Sequence, residues 1–201
     1  MQESIDFYFD FSSPYGYFAA MRIEGLASEY GRRVKWHPVL LGAVFKLTGA
    51  QPLPMVPLKG DYANRDFERT ARFHGIPFKR PAKFPIPTQL AARAMTWVDQ
   101  HIGEAKAIDF AKAVYVAYFV DGADITDPDA IAQVASALGI NANELIDGAN
   151  SGDIKEKLKA EVDAAIARGV FGSPYIIADD EPFWGFDRFD QLEAYLKDGK
   201  I

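Results

Sequence analysis

Ile5-Asp6-Phe7-Tyr8-Phe9-Asp10-Phe11-Ser12-Ser13-Pro14-Tyr15 is the stretch on which the fold turns. Ile5, Phe7, Phe9 and Phe11 alternate, with Tyr8 adding bulk on the other face, which predicts a buried strand. Pro14 suits a first helical turn, where its missing N–H would have no partner in any case. Ser13 directly before it suits a helix cap. Tyr17, Phe18, Met21, Ile23 and Leu26 continue a helical pattern until Gly31. Val34 and Trp36, with Pro38-Val39-Leu40 following, then mark a second strand. Two strands joined by one helix of this length are expected to lie parallel with a right-handed crossover.

From about Gly42 the pattern changes. Gln51-Pro52-Leu53-Pro54-Met55-Val56-Pro57 is too rich in proline for a helix or a central strand and reads as an ordered loop. Helices are expected from near Asp61, after a Thr88 cap, through Ile108 to Phe119, from Thr126-Asp127-Pro128 to Gly139, and from about Ser151 to Arg168. Strand character returns at Tyr175-Ile176-Ile177-Ala178 and Pro182-Phe183-Trp184, a hairpin turning at Asp179-Asp180-Glu181. A terminal helix runs from Arg188. With the helical block removed the order is βαβαββα, the thioredoxin-type order. The expected class is therefore α/β, a thioredoxin fold with an inserted all-helical domain. The thioredoxin-like part is 1–42 and 155–201, and the helical insertion is 43–154.

Composition narrows the chemistry. The chain has 201 residues, 49% of them hydrophobic, with 15 Phe, 9 Tyr and 3 Trp, enough for a substantial core. A net charge of −6 argues against a nucleic-acid or anionic-membrane partner. Lys79-Arg80-Pro81-Ala82-Lys83, the densest basic stretch, reads as a solvated loop. No apolar run approaches the roughly 20 residues of a membrane span. Met1-Gln2-Glu3-Ser4 is unlike the basic start of a signal peptide, and a cytoplasmic location is expected. There is no cysteine, which removes disulfides, thiolate metal sites and cysteine nucleophiles together. His37, His74 and His101 are scattered without metal-ligand spacing, and Asp124, Asp127 and Asp129 read as helix capping.

Three junctions carry chemistry. Ser13-Pro14 places a hydroxyl at a helix start, either as a plain cap or as a donor to an anion held by the helix N–H groups. In thiol–disulfide enzymes reactive cysteines stand there; here any sulfur must come with a small molecule. Val170-Phe171-Gly172-Ser173-Pro174-Tyr175 puts a proline directly before a strand, which by itself reads as a plain turn. In the thioredoxin order this proline is cis and lies beside the first helix start, leaving the Ser173 backbone to pair with an extended ligand. Trp184-Gly185-Phe186-Asp187-Arg188 joins a strand to a helix, with Asp187 either as its cap or as partner to a ligand amino group.

These blocks, in order and together with Gly49-Ala50-Gln51-Pro52 and Met55-Val56-Pro57-Leu58-Lys59-Gly60-Asp61-Tyr62, resemble the 2-hydroxychromene-2-carboxylate isomerases. Those enzymes are related to kappa-class glutathione transferases and, more distantly, to bacterial disulfide oxidoreductases. The resemblance runs from about residue 5 to 197. It implies a homodimer, glutathione as cofactor, and a small aromatic substrate. By position it implies that Ser13 faces the glutathione sulfur and Lys59 binds the glycine-end carboxylate. Ser173, before Pro174, would pair its backbone with the cysteinyl moiety, and Phe186 and Asp187 would hold the γ-glutamyl end. Ala50 stands where the transferases carry asparagine, and Pro87-Thr88 where relatives often have Asn-Thr. The implied reaction opens a 2-hydroxychromene-2-carboxylate to trans-o-hydroxybenzylidenepyruvate, with Lys59, Arg65 or Arg93 attracting the substrate carboxylate. A glutathione transferase or peroxidase acting on small electrophiles, and a non-catalytic thioredoxin-like binding module, are the alternatives.

Overall fold

A computed structural model describes residues 4–201, so the polar start Met1-Gln2-Glu3 lies outside the described residues. Strand β1 (Ile5–Phe9) is central to a four-stranded sheet of order β2-β1-β3-β4. It pairs parallel with β2 (Val34–Pro38) and antiparallel with β3 (Tyr175–Ala178), which pairs antiparallel with β4 (Glu181–Trp184). Phe7 sits opposite both Trp36 and Ile176. The β3–β4 turn is two residues, Asp179 and Asp180, both at positive φ, which matches the twist a tight hairpin needs.

The alternation in β1 divides the core. Phe7, Phe9 and Phe11 pack with Trp36 and Tyr115 on one face, while Tyr8 joins Tyr175, Ile177, Val39 and Ala165 on the other. Between β1 and β2 the chain forms two helices, α1 (Pro14–Ala20) and α2 (Ile23–Glu29), not the single helix its periodicity suggests. The break at Met21-Arg22 lets Ile23 and Ala27 turn fully inward, so packing overrides local propensity.

The helical block runs α3 (Leu41–Thr48), a short 3-10 turn at Leu53–Met55, α4 (Lys59–His74), α5 (Gln89–His101), α6 (Glu104–Val116), α7 (Pro128–Ala137) and α8 (Ala142–Ala149). Helix α6 continues into a wide π-turn at Ala117–Asp121 that keeps Tyr118 and Phe119 buried. Helices α3 and α8 are additions to the expected set. Helix α8 lies so close to α5 that a Cβ on Gly148 would collide with the Trp97 indole. Helix α9 (Gly152–Ala167) returns the chain to β3, and α10 (Phe189–Asp198) closes it after a 3-10 turn at Phe186–Arg188. Among the described residues no helix is long and apolar enough to cross a membrane, and no cluster of His, Asp or Glu has the grouping of a metal site.

Candidate active site

The β1–α1 junction is built around hydrogen bonds that leave little freedom. Ser13 is the cap of α1: its Oγ accepts the Gly16 N–H at 3.0 Å and donates to the Ser173 carbonyl at 2.8 Å. It is 7% exposed. The Ser173–Pro174 peptide is cis, and the Pro174 carbonyl accepts the Gly185 N–H at 3.1 Å. Ser13, Ser173-Pro174 and the start of the Phe186 turn are thereby linked through two hydrogen bonds. The Ser173 N–H has no partner among the described residues. Gly16 is where it is for want of space. A Cβ there would stand 2.6 Å from Ser173 Oγ and 2.9 Å from the Tyr115 hydroxyl.

Asp10 is the residue that sequence reading passed over. It is 4% exposed, and each of its polar groups is used. Its N–H donates to Ser173 Oγ (2.9 Å) and its carbonyl accepts from the Tyr115 hydroxyl (3.0 Å). Its carboxylate accepts from the Ser12 N–H (2.7 Å), the Leu41 N–H (2.8 Å) and Thr88 Oγ1 (3.2 Å). Thr88, expected to cap α5, spends its hydroxyl on Asp10 instead, and Asp10 in turn caps α3. Burial pushes the Asp10 carboxyl up from its ordinary value, against those three hydrogen bonds. No cation reaches it among the described residues. The signal that could have found it is a lone carboxylate inside the apolar run Phe9-Asp10-Phe11.

The other candidates differ in exposure. Lys59 is the first residue of α4 and exposed; it follows Leu58, held at φ +67° with the Lys59 N–H bonded to the Pro57 carbonyl at 2.8 Å. That tight γ-turn is a strained entry to a helix. Asp187 is exposed, not a cap of α10, and its charge is felt by the Tyr15 hydroxyl on α1. The Phe186 ring is buried against Phe18, His74 and Phe189, so only its main chain is available to a ligand. Tyr15 donates to Asp66 at 2.5 Å, and burial followed by that carboxylate pushes its hydroxyl far up, which removes it as an acid or base near neutrality.

Lys59 and Asp187 thus carry opposite charges on separate elements, Asp187 with Arg188 at 3.3 Å, and the Ser13 hydroxyl stands at the start of α1 against the cis Ser173–Pro174 peptide. Residues 4–197 match the DSBA-like thioredoxin domain, and the chain belongs to that family.

The relatives within it are enzymes. The 2-hydroxychromene-2-carboxylate isomerase of Pseudomonas putida is 31% identical over 196 residues, covering 96% of this chain and 93% of the relative. Glutathione S-transferase kappa 2 of Caenorhabditis elegans is 27% identical over 207 residues, covering 96% and 91%. A solved 2-hydroxychromene-2-carboxylate isomerase superposes with a TM-score of 0.86 at 29% identity, covering 96% of this chain and 94% of that one.

Proposed function

We propose that this chain is a glutathione-dependent isomerase that opens 2-hydroxychromene-2-carboxylate-type aromatic catabolites to trans-o-hydroxybenzylidenepyruvate. One observation carries the reading: the Ser13 hydroxyl, at the start of α1, donates its proton to the carbonyl of the residue before the cis proline. A ligand main-chain N–H arriving at Ser173 would compete for that carbonyl, and Ser13 would then turn its proton toward the sulfur. Lys59 holds the glycine-end carboxylate as a flexible point charge. The Ser173 backbone beside Pro174 pairs with the cysteinyl moiety, and Asp187 with the Phe186 main chain holds the γ-glutamyl end.

Bound there, glutathione would supply a thiolate, a reversible nucleophile toward the conjugated double bond of the ring-opened substrate. Ser13 stabilises the anion by a charge-assisted hydrogen bond. Of the first-turn N–H groups only that of Tyr15 has no partner among the described residues, since Pro14 has none and those of Gly16 and Tyr17 bond to Ser13; because α1 is only seven residues long, that local donor matters more than a macrodipole. The division into 1–42 with 155–201 and an insertion of 43–154, a homodimer and a cytoplasmic location are part of the same reading.

The test is turnover of the chromene acid by purified protein with and without glutathione. Isomerisation that continues at full rate without glutathione defeats the proposal. Stable glutathione adducts of model electrophiles without isomerisation would favour the kappa-type transferase, which the resemblance to that class supports. A non-catalytic module predicts no glutathione binding by calorimetry and no effect of Lys59→Ala.

A further inference from the structure

The basic segment 79–83 reads in sequence as a solvated loop, yet it is held from behind. The Lys79 N–H donates to the Phe119 carbonyl at 2.6 Å, and the Tyr118 hydroxyl donates to the Lys83 carbonyl at 2.8 Å. Both partners belong to the π-turn that follows α6, and Pro81 is buried. In front of the segment runs the first part of α4. Gly60 presses so closely on the Pro54 carbonyl that a Cβ would collide with it, and Asn64 follows one turn later on the same face. Between them lies a solvent-open cavity of about 370 Å³ lined by Pro54, Asn64, Pro81, Phe84 and the exposed Arg80 and Ala82.

The lining specifies a ligand. The Arg80 guanidinium has no ion-pair partner among the described residues, whereas nearby Lys83 is paired with Asp124 at 2.6 Å. Asn64 Oδ1 is buried without a donor. A buried acceptor left unpaired calls for an explanation, and a ligand hydroxyl supplies one. Phe84, edge-on to Phe67 at 6.0 Å, offers an aromatic wall. A guanidinium, an orphaned acceptor and a ring together select an aromatic acid bearing a hydroxyl. An acid without a hydroxyl leaves Asn64 unpaired, and a sugar acid makes no use of Phe84.

One hydrogen bond ties this segment to the β1–α1 junction: two residues beyond Phe84, the Ile86 N–H donates to Ser12 Oγ, next to Ser13, at 3.1 Å. We propose that this cavity is the acid-end subsite of the enzyme: Arg80 binds the substrate carboxylate, and Asn64 Oδ1 accepts the proton of the hydroxyl on the same carbon. This rests on the isomerase reading above, since a 2-hydroxychromene-2-carboxylate carries those two groups side by side. Arg80 takes the place sought among Lys59, Arg65 and Arg93. Lys59 is thereby left to glutathione, and each of the two anions has its own cation.

The experiment compares wild type with Arg80→Met and Asn64→Asp, each checked for an unchanged thermal melt. Arg80→Met should raise KM for the chromene acid roughly tenfold or more, with a smaller change in kcat and no change in glutathione affinity by calorimetry. Asn64→Asp, which sets a carboxylate against the acid, should raise KM as well. Salicylate and salicylamide serve as direct probes: wild type should bind the acid more tightly, and Arg80→Met should abolish that preference. A KM and an acid preference both unaltered in Arg80→Met overturn the subsite while leaving the reaction standing. An Arg80-dependent acid preference in a protein that neither binds glutathione nor isomerises keeps the subsite and overturns the reaction.

Discussion

Ser13→Ala removes two hydrogen bonds that the structure assigns to one oxygen, and with them the proton that the proposed chemistry turns toward the sulfur. The Gly16 N–H loses its cap acceptor, which costs about 1 kcal/mol. The Ser173 carbonyl loses a donor, which costs about 1 kcal/mol more in a partly buried setting. Together these should lower the melting temperature by roughly 4–8 °C, given about 2–4 °C per kcal/mol for a chain of this size. The functional effect is separable. A hydrogen bond to a charged acceptor contributes about 1.5–3 kcal/mol, so its loss should raise the pKa of bound glutathione's thiol by about 1–2 units. The assay is ultraviolet thiolate absorbance of the protein–glutathione complex, titrated with pH, beside the calorimetric affinity. Affinity through Lys59 and Asp187 should largely survive, while kcat/KM at neutral pH falls about ten- to a hundredfold with the thiolate fraction. A Ser13→Ala complex whose thiol titrates as in wild type would refute the assignment, whatever its stability.

Gly16→Ala should be far worse than a surface change. Its Cβ would press on Ser173 Oγ and the Tyr115 hydroxyl, costing about 1–3 kcal/mol in denaturant melts and weakening glutathione binding by displacing Ser173. For Asp6, burial pushes the carboxyl up, but the hydrogen bonds and charges of His37 and Arg168 outweigh it and bring it to about 2 from 3.8. Its contribution to stability is complete above about pH 4 and is lost as the pH falls toward about 2. Asp6→Asn should therefore flatten that part of the stability curve; a curve of unchanged slope would count against it. Asp10 runs the opposite way. Its carboxyl is raised by burial, so stability falls as the pH rises from about 4 through its folded value. Asp10→Asn should abolish that slope and lose about 1.5–3 kcal/mol, because an amide sets an NH₂ against a main-chain donor.

What could be read ahead was local. The period-two pattern of β1, the Ser13-Pro14 start and the β3–β4 hairpin each depend on neighbours within a few residues, and each stands in the structure as expected. Helix α3 could not be read that way, because the carboxylate that caps it belongs to Asp10, 31 residues earlier. Helix α8 carried a usable signal, Asn141 with Glu144 three residues on, and both residues exchange hydrogen bonds at its start. The break between α1 and α2 has no Pro or Gly to announce it; burial of Ile23 and Ala27 decides it. The same holds for the site. Ser13 and Pro174 were visible because their backbone chemistry is written beside them. The buried role of the Phe186 ring, the hub at Asp10 and the cavity at Arg80 arise from contacts between distant segments.

The most direct test is a crystal structure of the protein with glutathione bound. The account predicts the sulfur within hydrogen-bond reach of Ser13 Oγ, the tripeptide backbone paired with Ser173, and its two ends at Lys59 and Asp187. A tripeptide seated elsewhere, or one whose sulfur points away from that hydroxyl, would contradict it.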